Sequence, residues 1–196
     1  MKAKLLDHSM FEEKMWGNTY SALKSLIDNC YYAQAVYPFP VGDTSQHKGF
    51  FKEFCTVKMQ TSRRSGHSTA LCKVAYEYFN NALILAYNED QSHRLRGAFP
   101  NATGIILPTK AKMEIGVEMP LHVQFGSKMN NVIRVNGNQN YYFGTVNGME
   151  SLRGCEFEAV FVDCAFALSQ KKEDQIYDEV GPAMAKYPEK FFIFVE

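Results

Sequence analysis

Residues 54–79 read FCTVKMQTSRRSGHSTALCKVAYEYF, in which a polar turn separates two apolar segments. The first segment, Phe54–Met59, is a short run rich in β-forming residues and predicts a strand. The second, Ser68–Phe79, has apolar residues at 71, 74, 75 and 79, which is the spacing of one helix face. The intervening Gln60–Gly66 is polar and contains a glycine, as is typical of a turn. The stretch therefore predicts a strand, a turn and a helix in that order.

Continuous apolar runs of strand length recur along the chain. They lie at Ala82–Tyr87 (ALILAY), Ala159–Val162 (AVFV) and Lys190–Val195 (KFFIFV). Strands that are apolar on both faces are typical of a parallel sheet covered by helices on each side. The runs therefore predict a three-layer α/β fold with a mostly parallel central sheet.

Helical periodicity and turn signals fill the remaining segments. Helices are expected at 9–35 and 174–186, the second interrupted at Gly181-Pro182, and 36–50 are expected to form a loop. Val132–Val135 and Tyr141–Val146 flank a turn at 136–138 and predict a β-hairpin inserted in the α/β fold.

The polar turn at the start of the first predicted helix is close to the phosphate-binding pattern G-x-x-x-x-G-K-[ST]. Thr61 and Gly66 take the two glycine positions, His67 the lysine position and Ser68 the hydroxyl that contacts Mg²⁺. Backbone N–H groups and the helix dipole of such a loop hold phosphates. The candidate nucleotide-binding residues are Gln60, Thr61, Ser62, Arg63, Arg64, Ser65, Gly66, His67, Ser68 and Thr69.

Two arginines in this turn bear on its charge. Because His67 replaces the lysine that neutralises the β- and γ-phosphates, Arg63 and Arg64 are candidates to supply that charge. Taken alone, the same residues are also compatible with an ordinary helix N-terminus that has arginines nearby.

An acidic residue ends one of the apolar runs. Residues 156–165 read EFEAVFVDCA, so a hydrophobic strand finishes at Asp163. A carboxylate at the carboxyl edge of a parallel sheet, beside a phosphate loop, is where Mg²⁺ is held in P-loop nucleotide hydrolases, which makes Ser68 and Asp163 the candidate metal ligands. In isolation, a strand that ends in aspartate is also compatible with an N-cap for the next helix.

The overall composition excludes several classes of protein. Hydrophobic residues make up 46% and charged residues 21%, which indicates a globular chain. Lys+Arg and Asp+Glu balance at 21 each, so a global basic footprint for nucleic acid is missing. The five cysteines show no CxxC pair, which favours reduced thiols in a cytoplasmic protein. The sequence shows neither a secretory signal nor a membrane-spanning run.

Residues 50–196 resemble the ATPase domain of the large terminases of tailed bacteriophages. The matching segments, in order, are TSRRSGHST, ALCKVAYEYF, ALILAYNEDQSHRLR, NVIRVNGNQNYYFGTVNG, SLRGCEFEAVFVDCA and GPAMAKYPEKFFIFV. The pair Arg153-Gly154 before the acidic strand is similar to a pair in terminases and related helicases. Terminase phosphate loops often begin with arginines and tolerate a changed lysine, as His67 requires.

The resemblance implies a P-loop ATPase of the ASCE type, with ATP and Mg²⁺ as cofactors. It implies residues 1–50 as an N-terminal helical and loop segment packing on the core, and 51–196 as the ATPase domain. That domain is expected either to be cut before a coupling motif and nuclease domain or to stand alone without the nuclease. It further implies a homo-oligomeric ring that translocates double-stranded DNA with a portal protein and a small terminase. Arg153, Arg63 and Arg64 are then candidate catalytic cations, with Arg153 in the position of an arginine finger or of a structural ion pair.

Cys164 departs from the family at the catalytic position. Terminases place a glutamate directly after the acidic residue, and this glutamate activates water. A thiol is a poor general base unless its pKa is lowered. The alternative is therefore a degenerate module that binds nucleotide or a partner with little or no hydrolysis; a helicase-type ATPase is a third reading. Glu158, Glu173 and Asp174 are candidates to replace the missing base.

Two further groups of residues carry weaker expectations. Arg94 and Arg96 follow the second strand and could contact DNA or a neighbour's nucleotide, or could form a solvated helix face. Gln34, Tyr37 and Phe39 could form an adenine-stacking platform, or could belong to ordinary loop packing.

Overall fold

The computed structural model describes residues 8–38, 47–61, 65–103, 123–125, 132–135, 138–149, 155–163, 165 and 168–195. The helices are α1 (His8–Val36), α2 (His47–Phe54), α3 (His67–Tyr78), α4 (Glu89–Thr103) and α5 (Gln170–Val180), the last followed by a 3₁₀ turn at Gly181–Met184. The strands are β1 (Thr56–Met59), β2 (Asn81–Ala86), β3 (Val123–Phe125), β4 (Val132–Val135), β5 (Gln139–Thr145), β6 (Ala159–Asp163) and β7 (Phe191–Val195). Within these ranges, none of the helices is both long enough and apolar enough to cross a membrane.

The strands form one seven-stranded sheet in the order β1-β7-β6-β2-β5-β4-β3. Neighbours from β1 through to β5 pair in parallel, and β4 and β3 extend the sheet in antiparallel pairing. α3 connects β1 to β2 and α5 connects β6 to β7, the crossover connections that a parallel sheet requires. The expected α/β fold with a mostly parallel sheet is confirmed.

The predicted hairpin is present and belongs to the main sheet. β4 pairs antiparallel with β5, with Val132 opposite Tyr142. The other edge of β5 pairs in parallel with β2, with Ile84 opposite Phe143. The hairpin is therefore an extension of the central sheet, built on β5.

Helices cover both faces of the sheet. On one face, side chains of α1, α3 and α4 pack over alternate strand residues that include Ile84, Phe161 and Ile193. On the other, α2 and α5 pack over the intervening residues, which include Val160 and Phe192. Because successive strand side chains point to opposite faces, one continuous apolar run supplies both halves of the core. This explains why the apolar runs predicted the strands correctly.

The expectation of a loop over 36–50 is wrong at its end. α2 begins at His47, and 39–46 lie outside the described residues. The aromatic ring of Phe51 in α2 packs 5.2 Å from that of Phe192, and Phe51 is 4% exposed. This contact with a strand 141 positions later stabilises a helix of eight residues that its own sequence only weakly favours.

The last predicted helix is confirmed with shifted bounds. α5 begins at Gln170, four residues earlier than expected, because the Ser169 hydroxyl accepts a hydrogen bond from the backbone N–H of Lys172 at 3.3 Å. It ends at Val180, and the 3₁₀ turn at Gly181–Met184 is the interruption predicted from Gly181-Pro182. Local capping by Ser169 therefore sets the helix start, and the local Gly-Pro signal sets its end.

Candidate functional site

The carboxyl ends of β1 and β6 lie level with each other on either side of β7. Met59 of β1 and Asp163 of β6 are both in register with Val195 of β7. The turn that follows β1 and the acidic residue that ends β6 therefore share one edge of the sheet, about 10 Å apart at two strand spacings. Ligands of open α/β sheets bind at this edge.

Asp163 points to the face of the sheet that α3 covers. Ala159 and Phe161 of β6 pack in the core cluster beneath α1, α3 and α4. Since strand side chains alternate, Asp163 continues this row at the strand end. It is 5% exposed, so the carboxylate is held at the buried boundary between β6 and α3.

The turn enters α3 through a left-handed glycine. Gly66 has φ 73° and ψ 23°, a conformation that costs a side-chain-bearing residue strain. Its carbonyl accepts the N–H of Ala70 at 2.9 Å, which closes the first turn of α3. Gly66 is the N-cap and offers no side chain to the amides of that first turn. These amides and the positive end of the helix dipole are therefore available to an anion.

Ser68 and Asp163 are in direct contact. The Ser68 hydroxyl lies 3.1 Å from Oδ1 and 3.2 Å from Oδ2 of Asp163, so it donates to the carboxylate across 95 residues of sequence. Ser68 is in the first turn of α3 and is partly buried. The phosphate-loop pattern and the acidic strand end, which are far apart in sequence, thus meet in one place.

His67 also contacts Asp163. Its Nε2 lies 3.3 Å from Oδ1 of Asp163, and its side chain is 20% exposed. Its Nδ1 is buried and has no hydrogen-bond partner among the described residues. The residue at the lysine position of the pattern is therefore turned toward the carboxylate, beside Ser68.

The Cys72 thiol lies near the Asp163 carboxylate, and its pKa is raised. Burial, and after it the negative charge of Asp163, raises the pKa of the Cys72 thiol to about 12. Cys72 lies one turn beyond Ser68 on α3 and is fully buried. The raised pKa and the complete burial make this thiol a poor nucleophile.

The donor set at this edge suits a hard divalent cation that also has other ligands. The Ser68 hydroxyl and the Asp163 carboxylate are oxygen donors, as Mg²⁺ prefers. Over the part of the chain that is described, no three or more His, Cys, Asp or Glu residues form a metal cluster. Such a site fits Mg²⁺ bound with the phosphates of a nucleotide, since this ion keeps water and phosphate ligands.

The carboxylates considered as replacements for the missing base are engaged elsewhere. Glu173 lies 2.7 Å from Nζ of Lys58 and accepts the Tyr177 hydroxyl at 3.2 Å. Asp174 lies 2.7 Å from Nζ of Lys52. Glu158 accepts the N–H of Asn80 at 2.9 Å, at the opposite edge of the sheet from Asp163. None of these three is placed beside Asp163 by the contacts it makes.

Several candidate residues fall outside the described ranges: Ser62, Arg63, Arg64, Arg153, Cys164 and Phe39. Gln60 and Thr61 follow the end of β1, and Thr69 lies in the first turn of α3. Arg94 and Arg96 lie on α4, which follows β2; Arg94 is exposed and Arg96 partly buried.

The adenine-platform interpretation of Gln34 and Tyr37 is wrong. The Gln34 side chain donates to the carbonyl of Lys190 and accepts its N–H, both at 2.9 Å, just before β7 begins. The Tyr37 ring packs 4.9 Å from that of Phe54, before β1 begins. Both residues therefore lie at the amino edge of the sheet, opposite the phosphate loop. Their polar and aromatic groups stabilise the end of α1 against the strands.

One contact of the loop was not expected from the sequence. The Thr19 hydroxyl of α1 donates to the carbonyl of Ser65 at 3.0 Å, and both residues are buried. The Ser65 hydroxyl is itself buried without a hydrogen-bond partner among the described residues. No local signal marks Thr19, because its partner is 46 residues away.

No protein-family model and no curated sequence relative matches the chain. Among solved structures, the large terminase of bacteriophage HK97 is similar at a TM-score of 0.51 and 13% identity, over 81% of this chain and 35% of that one. The large terminase ATPase domain of Thermus phage P74-26 is similar at a TM-score of 0.46 and 16% identity, over 71% of this chain and 58% of that one. The chain thus spans less than two thirds of either protein. At these identities the similarity to the HK97 large terminase shows a shared fold.

Proposed function

We propose that the chain is a terminase-like nucleotide-binding module that holds a Mg²⁺–nucleoside triphosphate at the edge formed by Gly66–Thr69 and Asp163. The observation that supports it most strongly is the contact of the Ser68 hydroxyl with both oxygens of the buried Asp163 carboxylate, at 3.1 and 3.2 Å. A serine at a helix start and an aspartate at a strand end two strands away are the oxygen donors that P-loop hydrolases use for Mg²⁺.

Each described residue has a distinct role in this proposal. The uncapped amides of the first turn of α3, which follow Gly66, hydrogen-bond phosphate oxygens. Ser68 and Asp163 hold the cation, which when bound neutralises charge on the phosphates. Burial and the contacts with Ser68 and His67, two adjacent residues of α3, hold the Asp163 carboxylate in position for this role.

The phosphate charge requires cations beyond His67. In this conformation His67 contacts Asp163 at 3.3 Å and makes no described contact toward the turn. We therefore assign the compensation of phosphate charge to Arg63 and Arg64, which precede Gly66 in the same turn.

The finer proposal is that nucleotide hydrolysis drives double-stranded DNA through a homo-oligomeric ring, with Arg153 reaching the nucleotide and with portal and small terminase proteins as partners. The alternative is a module that binds nucleotide with little turnover. The alternative draws support from Cys164 at the glutamate position and from the engagement of Glu173 and Asp174 with lysines. Steady-state ATP hydrolysis with and without double-stranded DNA separates the two, because only the motor accelerates on DNA.

Ser68→Ala is expected to weaken Mg²⁺-dependent nucleotide binding by about ten-fold, the loss of one hydroxyl contact to a charged group. Binding without Mg²⁺ should change little. The measurement is a titration of a fluorescent ATP analogue with and without Mg²⁺.

The matched control for this change is Ser169→Ala, which removes a serine hydroxyl that caps α5. It should reduce the free energy of unfolding by about 1 kcal/mol and leave nucleotide affinity unchanged. Equal nucleotide affinity in wild type and Ser68→Ala, or undetectable binding by wild type, would contradict the site.

Ser65→Ala is expected to affect stability and binding in opposite directions. The Ser65 hydroxyl is buried and has no hydrogen-bond partner within the described ranges. An unsatisfied buried hydroxyl costs about 1–3 kcal/mol, so its removal should maintain or raise the melting temperature of the free protein. If the hydroxyl binds a phosphate oxygen, nucleotide affinity should fall by roughly 3- to 10-fold. Calorimetric melting and nucleotide titration on the same samples measure both effects. A lower melting temperature with unchanged affinity would show that the hydroxyl serves the free fold instead.

A further inference from the structure

We infer that Thr19 is a positioning residue for the phosphate loop. Through its hydroxyl, α1 holds the peptide between Ser65 and Gly66 in a fixed orientation. This inference rests on the proposed function for its role in nucleotide binding. The contact that carries it is the hydrogen bond from the Thr19 hydroxyl to the Ser65 carbonyl, 3.0 Å long and buried.

The geometry of the peptide bond explains what this contact does. The carbonyl of Ser65 and the N–H of Gly66 belong to one planar unit, and in a trans peptide they point in opposite directions. A hydroxyl that fixes the carbonyl on the α1 side therefore aims the N–H of Gly66 away from α1. The hydrogen bond thus sets the direction of an amide at the entrance to α3, where the loop of the proposed site would contact phosphate.

The neighbouring residues hold Thr19 against the loop. Tyr20 donates its hydroxyl to Glu77 of α3, and Nζ of Lys73 lies 4.8 Å from the centre of the Tyr20 ring. One and two turns further along α1, Leu23 and Ile27 are buried in the core at 0% and 1% exposure. These contacts fix α1 to the same helix that the loop enters, so the position of Thr19 is determined independently of the loop.

The contact joins residues 46 positions apart, and both are buried: Thr19 is 8% exposed and Ser65 is 5% exposed. A valine of similar shape would fill the space of Thr19 without forming this hydrogen bond.

The experiment compares Thr19→Val, which removes the hydroxyl, with Thr19→Ser, which retains it. The first readout is hydrogen exchange of the Ala70 amide, whose hydrogen bond to the Gly66 carbonyl closes the first turn of α3. It is measured in nucleotide-free protein and does not depend on any ligand. We expect roughly 3- to 10-fold faster exchange in Thr19→Val, the effect of one hydrogen bond, and near-wild-type exchange in Thr19→Ser. Affinity for a fluorescent ATP analogue with Mg²⁺ should fall by a similar factor in Thr19→Val alone.

Ile27→Val controls for a general loosening of α1, since it removes a buried methylene two turns away and leaves the hydrogen bond intact. It should lower the melting temperature without changing exchange of the Ala70 amide. Unchanged exchange in Thr19→Val, or equal acceleration in Thr19→Ser or Ile27→Val, would overturn the role of Thr19. If wild type binds no nucleotide while Thr19→Val still accelerates exchange of this amide, the positioning role of Thr19 is supported and the proposed function fails.

Discussion

Asp163→Asn should lower Mg²⁺-dependent nucleotide affinity by roughly 10- to 150-fold, the effect of removing a charged partner from a buried site. The asparagine keeps the volume of the side chain and still accepts from the Ser68 hydroxyl, so α3 should remain in place. What it loses is the negative charge that attracts the cation. The measurement is a nucleotide titration at several Mg²⁺ concentrations.

Asp178→Asn is the matched control for this change. Asp178 lies on α5, outside the candidate site, and its side chain is 59% exposed. Its carboxylate lies 2.7 Å from Nζ of Lys48. Its removal should leave Mg²⁺ dependence unaltered, because an exposed ion pair contributes little and is far from the turn. A Mg²⁺ dependence that survives in Asp163→Asn would place the cation elsewhere.

Cys164→Glu should raise the rate of ATP hydrolysis by about 10²- to 10⁴-fold, the usual contribution of a general base. Cys164 directly follows the last residue of β6 and lies outside the described residues. The expectation comes from its sequence position and from the carboxylates that could substitute for it. Glu173 and Asp174 are held by Lys58 and Lys52, and Glu158 is at the other edge of the sheet.

Single-turnover hydrolysis of radiolabelled ATP by wild type, Cys164→Glu, Cys164→Gln and Cys164→Ala measures this effect. The glutamine variant matches glutamate in size and lacks the basic carboxylate, so it should remain as slow as wild type. Brisk hydrolysis by wild type that is unchanged in Cys164→Ala would contradict the assigned position, and would require a base from a partner subunit or another segment.

The strands could be predicted from the sequence because each central strand buries both faces. Runs such as Ala82–Tyr87 and Lys190–Val195 contain no polar alternation, and only a sheet with helices on both sides can bury them. The order of the strands could not be predicted in this way. β7 is the last strand in sequence and lies between β1 and β6, a position that depends on tertiary packing alone.

The local sequence pattern gave wrong predictions where contacts between distant residues determine the structure. The helix around Phe51 depends on Phe192, and Gln34 is fixed by the backbone of Lys190. A window of neighbouring residues holds no information on such partners. The sequence pattern therefore placed residues 47–50 in a loop and left a ligand platform open for Gln34, and neither agrees with the structure.

Some features of the candidate site could likewise be predicted from the sequence, and others could not. Ser68 and Asp163 were singled out from the phosphate-loop pattern and from an acidic strand end, and the structure brings them together. The direction of His67 toward Asp163 and the support of the loop by Thr19 had no counterpart in the sequence pattern. Motifs specify which residue types are present at a turn, whereas their orientation depends on the helix packed behind it.

The most direct test of the nucleotide site is a crystal structure of the chain with a non-hydrolysable ATP analogue and Mn²⁺, which takes the place of Mg²⁺ and has an anomalous signal. The account predicts an anomalous peak at coordination distance, about 2 Å, from the Ser68 hydroxyl and close to the Asp163 carboxylate. It also predicts triphosphate density over the amides of Gly66–Thr69. Nucleotide density at another edge of the sheet, or a turn without nucleotide at saturating concentration, would contradict it.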